Sequence, residues 1–130
     1  MGALGDSFYE YLLKEWIQSG GKDMDARRMW DEAIAAIEKN LVKKSSSGLT
    51  YFAEMKYDRL EHKMDHLSCF ASGLIALSGQ SLETQQKQHF LELGAELANT
   101  CHESYERTAT KIGPESFRFS ENVEAIAVRY

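Results

Sequence analysis

Residues 6–18 read DSFYEYLLKEWIQ, and this stretch establishes the helical character of the chain. Phe8, Leu12 and Trp16 recur every four residues, beside a second apolar line at positions 9, 13 and 17. Such spacing places side chains on one face of an α-helix. Asp6 stands at the start, where helices favour an acidic residue, and Gly20-Gly21 is a stop signal. The pattern predicts an amphipathic helix over 6–18.

Three further helices are predicted downstream. Asp23 or Asp25 can cap a second helix that reaches about Lys43. A third is predicted over 64–77 and a fourth over 83–109, where Gly113 and the single proline, Pro114, follow. The predicted apolar lines are Trp30, Ile34, Ile37 and Leu41 in the second helix, His66, Phe70, Gly73 and Leu77 in the third, and Phe90, Gly94, Leu97, Cys101 and Tyr105 in the fourth.

Short extended segments are predicted between these helices. Residues 45–48 form a serine-rich loop, 49–56 read as a short strand, and 117–119 as an extended stretch. Consecutive antiparallel helices with short strands between them favour an all-α fold with short β-hairpins, stacked as in an α/α toroid. A helical solenoid and a bundle are alternatives on the pattern alone. Both ends of the chain are expected to be truncated, because each abuts a strongly apolar segment.

Composition bounds the class of protein. A chain of 130 residues accommodates one modest domain, and 43% hydrophobic residues suffice for a packed core. The net charge is −5 and the basic residues are scattered, so we expect no nucleic-acid partner. No apolar run approaches the roughly 20 residues that span a bilayer. Residues 1–20 lack the order of a signal peptide, so a targeting segment is expected upstream.

Several side chains could carry chemistry, each with a plainer alternative. Asp6 could serve a ligand site or simply cap its helix. Glu115, held after Pro114, could be an acid or a solvated loop residue. His66 could be a ligand contact or a core histidine, and with His62 it has the spacing of a zinc pair. The aromatic set of the first helix, Phe8, Tyr9, Tyr11 and Trp16, favours core packing over sugar stacking.

Cys69 and Cys101 are the two cysteines of the chain. Three interpretations are open: two buried free thiols, a zinc site that includes His66 and His102, or a disulfide. Adjacent Cys101 and His102 would be awkward joint ligands of a tetrahedral ion. The positions of Cys69 and Cys101 on neighbouring predicted helices are compatible with a disulfide bridge.

Seven motifs run in order along nearly the whole chain: GALGDSFYEYLLK (2–14), GLTY (48–51), KMDHL (63–67), CF (69–70), ELGAEL (92–97), TCHESY (100–105) and GPESFRF (113–119). This series resembles glycoside hydrolase family 47, the class I α-1,2-mannosidases, of the Golgi type. The resemblance implies an (α/α)7 barrel, bound Ca²⁺, and inverting hydrolysis of terminal α-1,2-linked mannose from high-mannose N-glycans. That barrel needs several hundred residues, so 1–130 are expected to be part of the catalytic domain.

The resemblance also implies roles for individual residues. Asp6 matches a catalytic aspartate, Glu115 a glutamate proposed as proton donor, and His66 a histidine that contacts the sugar. Cys69 and Cys101 match a disulfide pair. Leu4 stands where relatives restricted to one mannose carry Arg, so we expect it to contact substrate and to mark a broader specificity. The alternative is that Leu4 packs against Phe8 across the first helical turn.

Other parts of the family's machinery are expected outside the chain. One catalytic glutamate falls before Met1, and an Arg-Pro-Glu segment and the Ca²⁺-binding threonine fall after Tyr130, so residues 1–130 alone are expected to be inactive. The resemblance implies a Golgi lumenal protein with a membrane anchor upstream, or alternatively residence in the endoplasmic reticulum. A quality-control relative that sorts misfolded glycoproteins and a helical protein-interaction module are the competing functions.

Overall fold

The computed structural model describes residues 5–82 and 85–128 and is mainly helical, with short strands between the helices. The first helix has the predicted bounds. The second begins after Asp23, whose Oδ1 accepts a hydrogen bond of 2.9 Å from the Ala26 N–H, so Asp23 rather than Asp25 is the cap. The helices are α1 (Asp6–Gln18), α2 (Met24–Asn40), a 3-10 helix (His66–Phe70), α3 (Ala71–Ser81) and α4 (Lys87–Glu106).

In the described part of the chain, seven short strands form three antiparallel sheets. The strands are β1 (Val42–Lys44), β2 (Thr50–Phe52), β3 (Glu54–Lys56), β4 (Arg59–Glu61), β5 (Lys63–Asp65), β6 (Ser116–Ser120) and β7 (Val123–Ala127). β1 pairs with β2, β3 with β4, and β6 lies between β5 and β7. The loop at 45–48 and the extended stretch at 117–119 are confirmed.

The predicted extension of the second helix to Lys43 is wrong. The helix ends at Asn40, and Val42 pairs with Phe52 in the β1–β2 hairpin. The predicted strand over 49–56 is two strands, β2 and β3, interrupted at Ala53. Strand pairing explains both the early end of the helix and the division into two strands, because strand preference depends strongly on tertiary contacts.

The prediction for the third helix is wrong in two respects, namely where the helix begins and which of its side chains are buried. Residues 63–65 are strand β5 and 66–70 a 3-10 helix, so regular α-helix begins only at Ala71. The predicted line is therefore out of phase: Phe70 and Leu77 are exposed, whereas Leu74 and Ile75 are buried. Three residues per turn in the 3-10 segment rotate the later side chains relative to a continuous α-helix.

The core lies between the four α-helices and the short sheets, and α1 and α2 contribute Leu13, Trp30, Ile34 and Ile37 to it. The predicted line of α4 is confirmed, with Phe90, Leu97 and Cys101 buried. Helices α3 and α4 approach closely at Gly94, where a Cβ atom would lie 2.7 Å from the Ser72 carbonyl oxygen. A side chain at that position would force the two helices apart, because protein interiors have no spare volume there.

Candidate functional site

Asp6 is a buried carboxylate at the start of α1, with 8% of its surface exposed. Its Oδ1 accepts a hydrogen bond of 2.8 Å from the Ser7 N–H. Gly5, not Asp6, is the residue that precedes the helix and occupies the cap position. The helix N-terminus favours negative charge at Asp6, so a carboxylate can be held there away from bulk water.

His66 and Glu115 lie side by side at one end of the three-stranded sheet. Asp65 pairs with Ser116 in the β5–β6 register. One residue beyond this pair, the His66 N–H donates a hydrogen bond of 2.8 Å to the Glu115 carbonyl oxygen. The Glu115 residue is exposed, so these residues do not themselves supply the burial that a general acid requires. Asp6 comes from α1, which packs mainly against α2 and α3.

Tyr105, near the end of α4, holds the His66 side chain. Its phenol hydroxyl hydrogen-bonds to His66 Nε2, and the two rings meet edge to face with centroids 5.5 Å apart. The Tyr105 ring lies against Gly113, where a Cβ atom would overlap it. Tyr105 therefore contacts both the histidine and the loop that leads to Glu115.

Cys69 and Cys101 form a disulfide, with Cα atoms 6.0 Å apart. The pairing implied by the family is confirmed, and the free-thiol and zinc alternatives for these cysteines are wrong. The bridge joins the 3-10 helix to α4, one turn from the contact between His66 and Tyr105. It closes a loop of 32 residues, which contributes about 3–4 kcal/mol in the chain-entropy model.

A charged cluster of Glu54, Lys63 and Asp65, the last of which directly precedes His66, was not identified from the sequence. Lys63 Nζ lies 3.5 Å from Glu54 Oε2 and 3.4 Å from Asp65 Oδ1, bridging two facing carboxyl groups. Burial raises the pKa of the Glu54 carboxyl above its usual range, the charge of Asp65 raises this pKa further, and Lys63 partly offsets the effect. Asp65 and Lys63 lie within the KMDHL motif, but the approach of Glu54 depends on the fold.

The other sequence candidates have separate surroundings. His62 Nδ1 lies 2.6 Å from the Tyr51 hydroxyl, so His62 and His66 each bind a different tyrosine. Within residues 5–82 and 85–128, no three His, Cys, Asp or Glu side chains are grouped so as to hold a metal ion. None of the helices in that described part is long and apolar enough to cross a membrane. Leu4 lies outside the described residues.

The aromatic set of α1 divides between the core and the surface. Tyr9 and Trp16 pack at the margin of the core, as predicted. Phe8 and Tyr11 are exposed, by 53% and 67%. The Phe8 ring meets the Tyr9 ring edge to face, with centroids 5.6 Å apart. Exposed aromatic side chains on neighbouring turns can also pack against another surface or stack on a sugar ring.

Residues 1–128 match the family model of glycosyl hydrolase family 47. The chain belongs to this family. It is 59% identical over 129 residues to human mannosyl-oligosaccharide 1,2-alpha-mannosidase IB and 56% identical over 129 residues to Drosophila melanogaster mannosyl-oligosaccharide alpha-1,2-mannosidase IA. Human mannosyl-oligosaccharide 1,2-alpha-mannosidase IC is 50% identical over 129 residues. Each alignment covers 99% of the chain but only 19–20% of the relative.

A solved structure supports the same membership. The alpha-1,2-mannosidase from Trichoderma reesei superposes with a TM-score of 0.78 at 28% identity, over 88% of the chain and 23% of that enzyme. The helices and small sheets described above are therefore those of a segment of this enzyme fold. The chain spans about a fifth of the length of the curated relatives that it matches.

Proposed function

We propose that these residues form part of the catalytic domain of an enzyme that removes terminal α-1,2-linked mannose from high-mannose N-glycans. The observation that carries the proposal is the 50–59% identity to mannosyl-oligosaccharide 1,2-alpha-mannosidases over nearly all of the chain. A protein of the relatives' full length that contains these 130 residues is called the full-length protein below. In it, the segment is proposed to contribute to an (α/α)7 barrel.

The proposed reaction is an inverting hydrolysis. One carboxylic acid protonates the glycosidic oxygen as its bond to the anomeric carbon breaks, and one carboxylate takes a proton from the water that attacks the opposite face. The two carboxyl groups of such a pair stand roughly 6.5–9.5 Å apart, which leaves room for the water. We assign Asp6 and Glu115 to this machinery, together with groups from the rest of the full-length protein.

His66 is proposed to contact the sugar. Its ring is held by Tyr105 and its backbone N–H donates to the main-chain carbonyl of Glu115, so the hydrogen-bonding group of His66 is fixed in place. A positioned ligand contact of this kind lowers the entropic cost of orienting the substrate. Leu4 is proposed to tune which mannose branches are accepted, through apolar contact rather than the forked hydrogen bonds of an arginine.

Calcium and cellular location are proposals that rest on family membership. The described residues do not provide a group of three metal-binding side chains, and the protein ligand of the ion is proposed to lie elsewhere in the full-length protein. The disulfide is compatible with an oxidising compartment. We propose the Golgi lumen, with a membrane anchor outside these residues, and the endoplasmic reticulum lumen as the alternative.

The test is hydrolysis of an α-1,2-linked mannose disaccharide by the full-length protein and its Asp6→Asn variant. The substitution keeps size but removes the carboxylate, so kcat should fall about 100-fold or more while KM changes little. Asp31→Asn, on the exposed side of α2, is the matched control and should retain wild-type kcat. Glu115→Gln should alter the pH dependence of the rate. A kcat within a few-fold of wild type in Asp6→Asn would remove Asp6 from the machinery.

A further inference from the structure

The His66 side chain is fixed by a residue far from it in sequence. Tyr105 reaches it from α4, 39 residues along the chain, and its hydroxyl engages Nε2 of the imidazole. The disulfide between Cys69 and Cys101 fixes the same 3-10 helix to the same face of α4. Two independent cross-links thus keep the two residues in register.

The glycine at position 113 makes this arrangement possible. A Cβ atom there would overlap the Tyr105 ring, so any larger residue would displace the ring or the loop. Two residues later, Glu115 accepts the backbone hydrogen bond from His66. Tyr105 therefore packs between two parts of the proposed site, and movement of its ring would alter both.

The hydrogen bond between Tyr105 and His66 allows two directions, one for each tautomer of the imidazole. An imidazole nitrogen is more basic than a phenol oxygen, so the direction in which the Tyr105 hydroxyl donates to Nε2 is the favoured one. The proton of the ring is then placed on Nδ1, because the hydrogen bond at one nitrogen fixes the tautomer at the other. Nδ1–H becomes a donor of defined direction, suited to an oxygen of a sugar hydroxyl.

We propose that Tyr105 is a positioning residue for substrate recognition, which holds His66 as the Nδ1–H tautomer that donates to a hydroxyl of the bound mannose. This inference rests on the proposed function for its substrate. Tyr105 does not touch the sugar in this scheme. It acts through His66, and Gly113 provides the space that its ring requires.

The experiment compares Tyr105→Phe with Tyr51→Phe in the full-length protein. Both substitutions delete one phenol hydroxyl that hydrogen-bonds to a histidine, but Tyr51 binds His62, which is not part of the proposed site. Tyr105→Phe should lower kcat/KM on the α-1,2-linked disaccharide roughly tenfold, mainly through KM, because one oriented hydrogen bond to substrate is weakened. Tyr51→Phe should leave kcat/KM unchanged.

A double-mutant cycle separates positioning from general structural damage. In the His66→Gln background, Tyr105→Phe should cause no further loss, since the residue through which it acts is gone. An equal and additive loss in both backgrounds would overturn the proposal, as would a loss in Tyr51→Phe that matches that of Tyr105→Phe.

A readout that does not depend on turnover tests the tautomer directly. With ¹⁵N-labelled histidine in the full-length protein, the His66 resonances, assigned through His66→Gln, should report the Nδ1–H form in the wild type. Tyr105→Phe should shift them towards the Nε2–H form that imidazole prefers in water. An unchanged tautomer would overturn the inference. If the wild type cleaves no α-1,2-mannoside, the proposed function fails, while this comparison still decides the role of Tyr105.

Discussion

At the scale of single residues, Glu124 shows how one carboxylate can order a loop. It lies in β7 and binds the serine-rich turn between β1 and β2. Its Oε1 accepts hydrogen bonds of 2.7 Å from the Ser47 N–H and 3.1 Å from the Ser46 hydroxyl. The hydroxyl and N–H groups of Ser47, followed by the hydroxyls of Ser45 and Ser46, lower the pKa of Glu124 to about 2. The ionised form is therefore the one that binds the loop.

This carboxylate predicts a pH-dependent contribution to stability. Because the folded pKa is depressed from 4.5 to about 2, the contribution is complete above about pH 5 and is lost as the pH falls towards 2. Glu124→Gln should lower the melting temperature of the full-length protein at about pH 6.5, by a modest amount because the site faces solvent. The difference should shrink at about pH 3.

Glu121→Gln is the matched control. Glu121 is exposed in the turn between β6 and β7, and its backbone carbonyl, rather than its carboxylate, accepts a hydrogen bond from Ser46. Its substitution should leave the melting temperature unchanged at both pH values. A gap between wild type and Glu124→Gln that stayed constant across this range would contradict the assignment.

The sequence indicated which residues to examine but not all of their partners. Cys69 and Cys101 were matched through family motifs, and the bond between them is confirmed. Tyr105 was predicted on the apolar line of its helix, yet its contact with His66 was not foreseen. Glu54 was overlooked entirely. Contacts between residues 39 positions apart, or between separate hairpins, depend on how the elements pack together. The periodicity of one segment carries no information about that packing.

At the scale of elements, the sequence predicted helices well where one apolar face continued without interruption. Helix α1 has the predicted bounds, and the buried line of α4 was predicted correctly. The segment 64–77 was predicted as one helix because its apolar residues also fit helical spacing. In the structure it changes from strand to 3-10 helix to α-helix, because β5 pairs with a strand more than 50 residues away.

The packing of α3 on α4 predicts opposite effects for two glycines. Gly94→Ala would place a Cβ atom 2.7 Å from the Ser72 carbonyl and 3.2 Å from the Ala76 Cβ, so the helices must separate. We expect a loss of about 1–3 kcal/mol of unfolding free energy. Gly73 lies on α3, and a Cβ atom added there would meet no neighbouring atom within 4 Å. Gly73→Ala should therefore stabilise the protein by about 0.5–1 kcal/mol through helix propensity.

Chemical denaturation of the two full-length variants measures both effects. Because each substitution adds one methyl group to a helical glycine, the comparison isolates the space available at each position. Equal shifts in the two variants would show that propensity alone decides the outcome and that α3 and α4 can adjust at Gly94 without cost.

At the scale of the whole molecule, α1 and α2 carry several exposed apolar side chains besides those that they bury in the core. Phe8, Tyr11 and Met24 are 53%, 67% and 65% exposed, and Met29 is 37% exposed. Clustered apolar side chains on a surface usually indicate contact with another surface. In the proposed barrel, neighbouring helices of the full-length protein cover this face, which accords with a segment that spans about a fifth of its relatives.

Because residues 1–130 span only about a fifth of the relatives' length, we predict that these residues, expressed alone, do not hydrolyse α-1,2-linked mannose. The proposed reaction needs a complete set of carboxyl groups, part of which is proposed to come from the rest of the full-length protein, and losing members of a catalytic set removes most of the rate. Mannose release from the disaccharide should therefore be absent with or without added Ca²⁺, whereas we expect the full-length protein to release mannose. Size-exclusion chromatography should show self-association, because the α1–α2 face is uncovered. Calcium-dependent turnover by a monomeric 1–130 fragment would mean that the segment contains a complete active site.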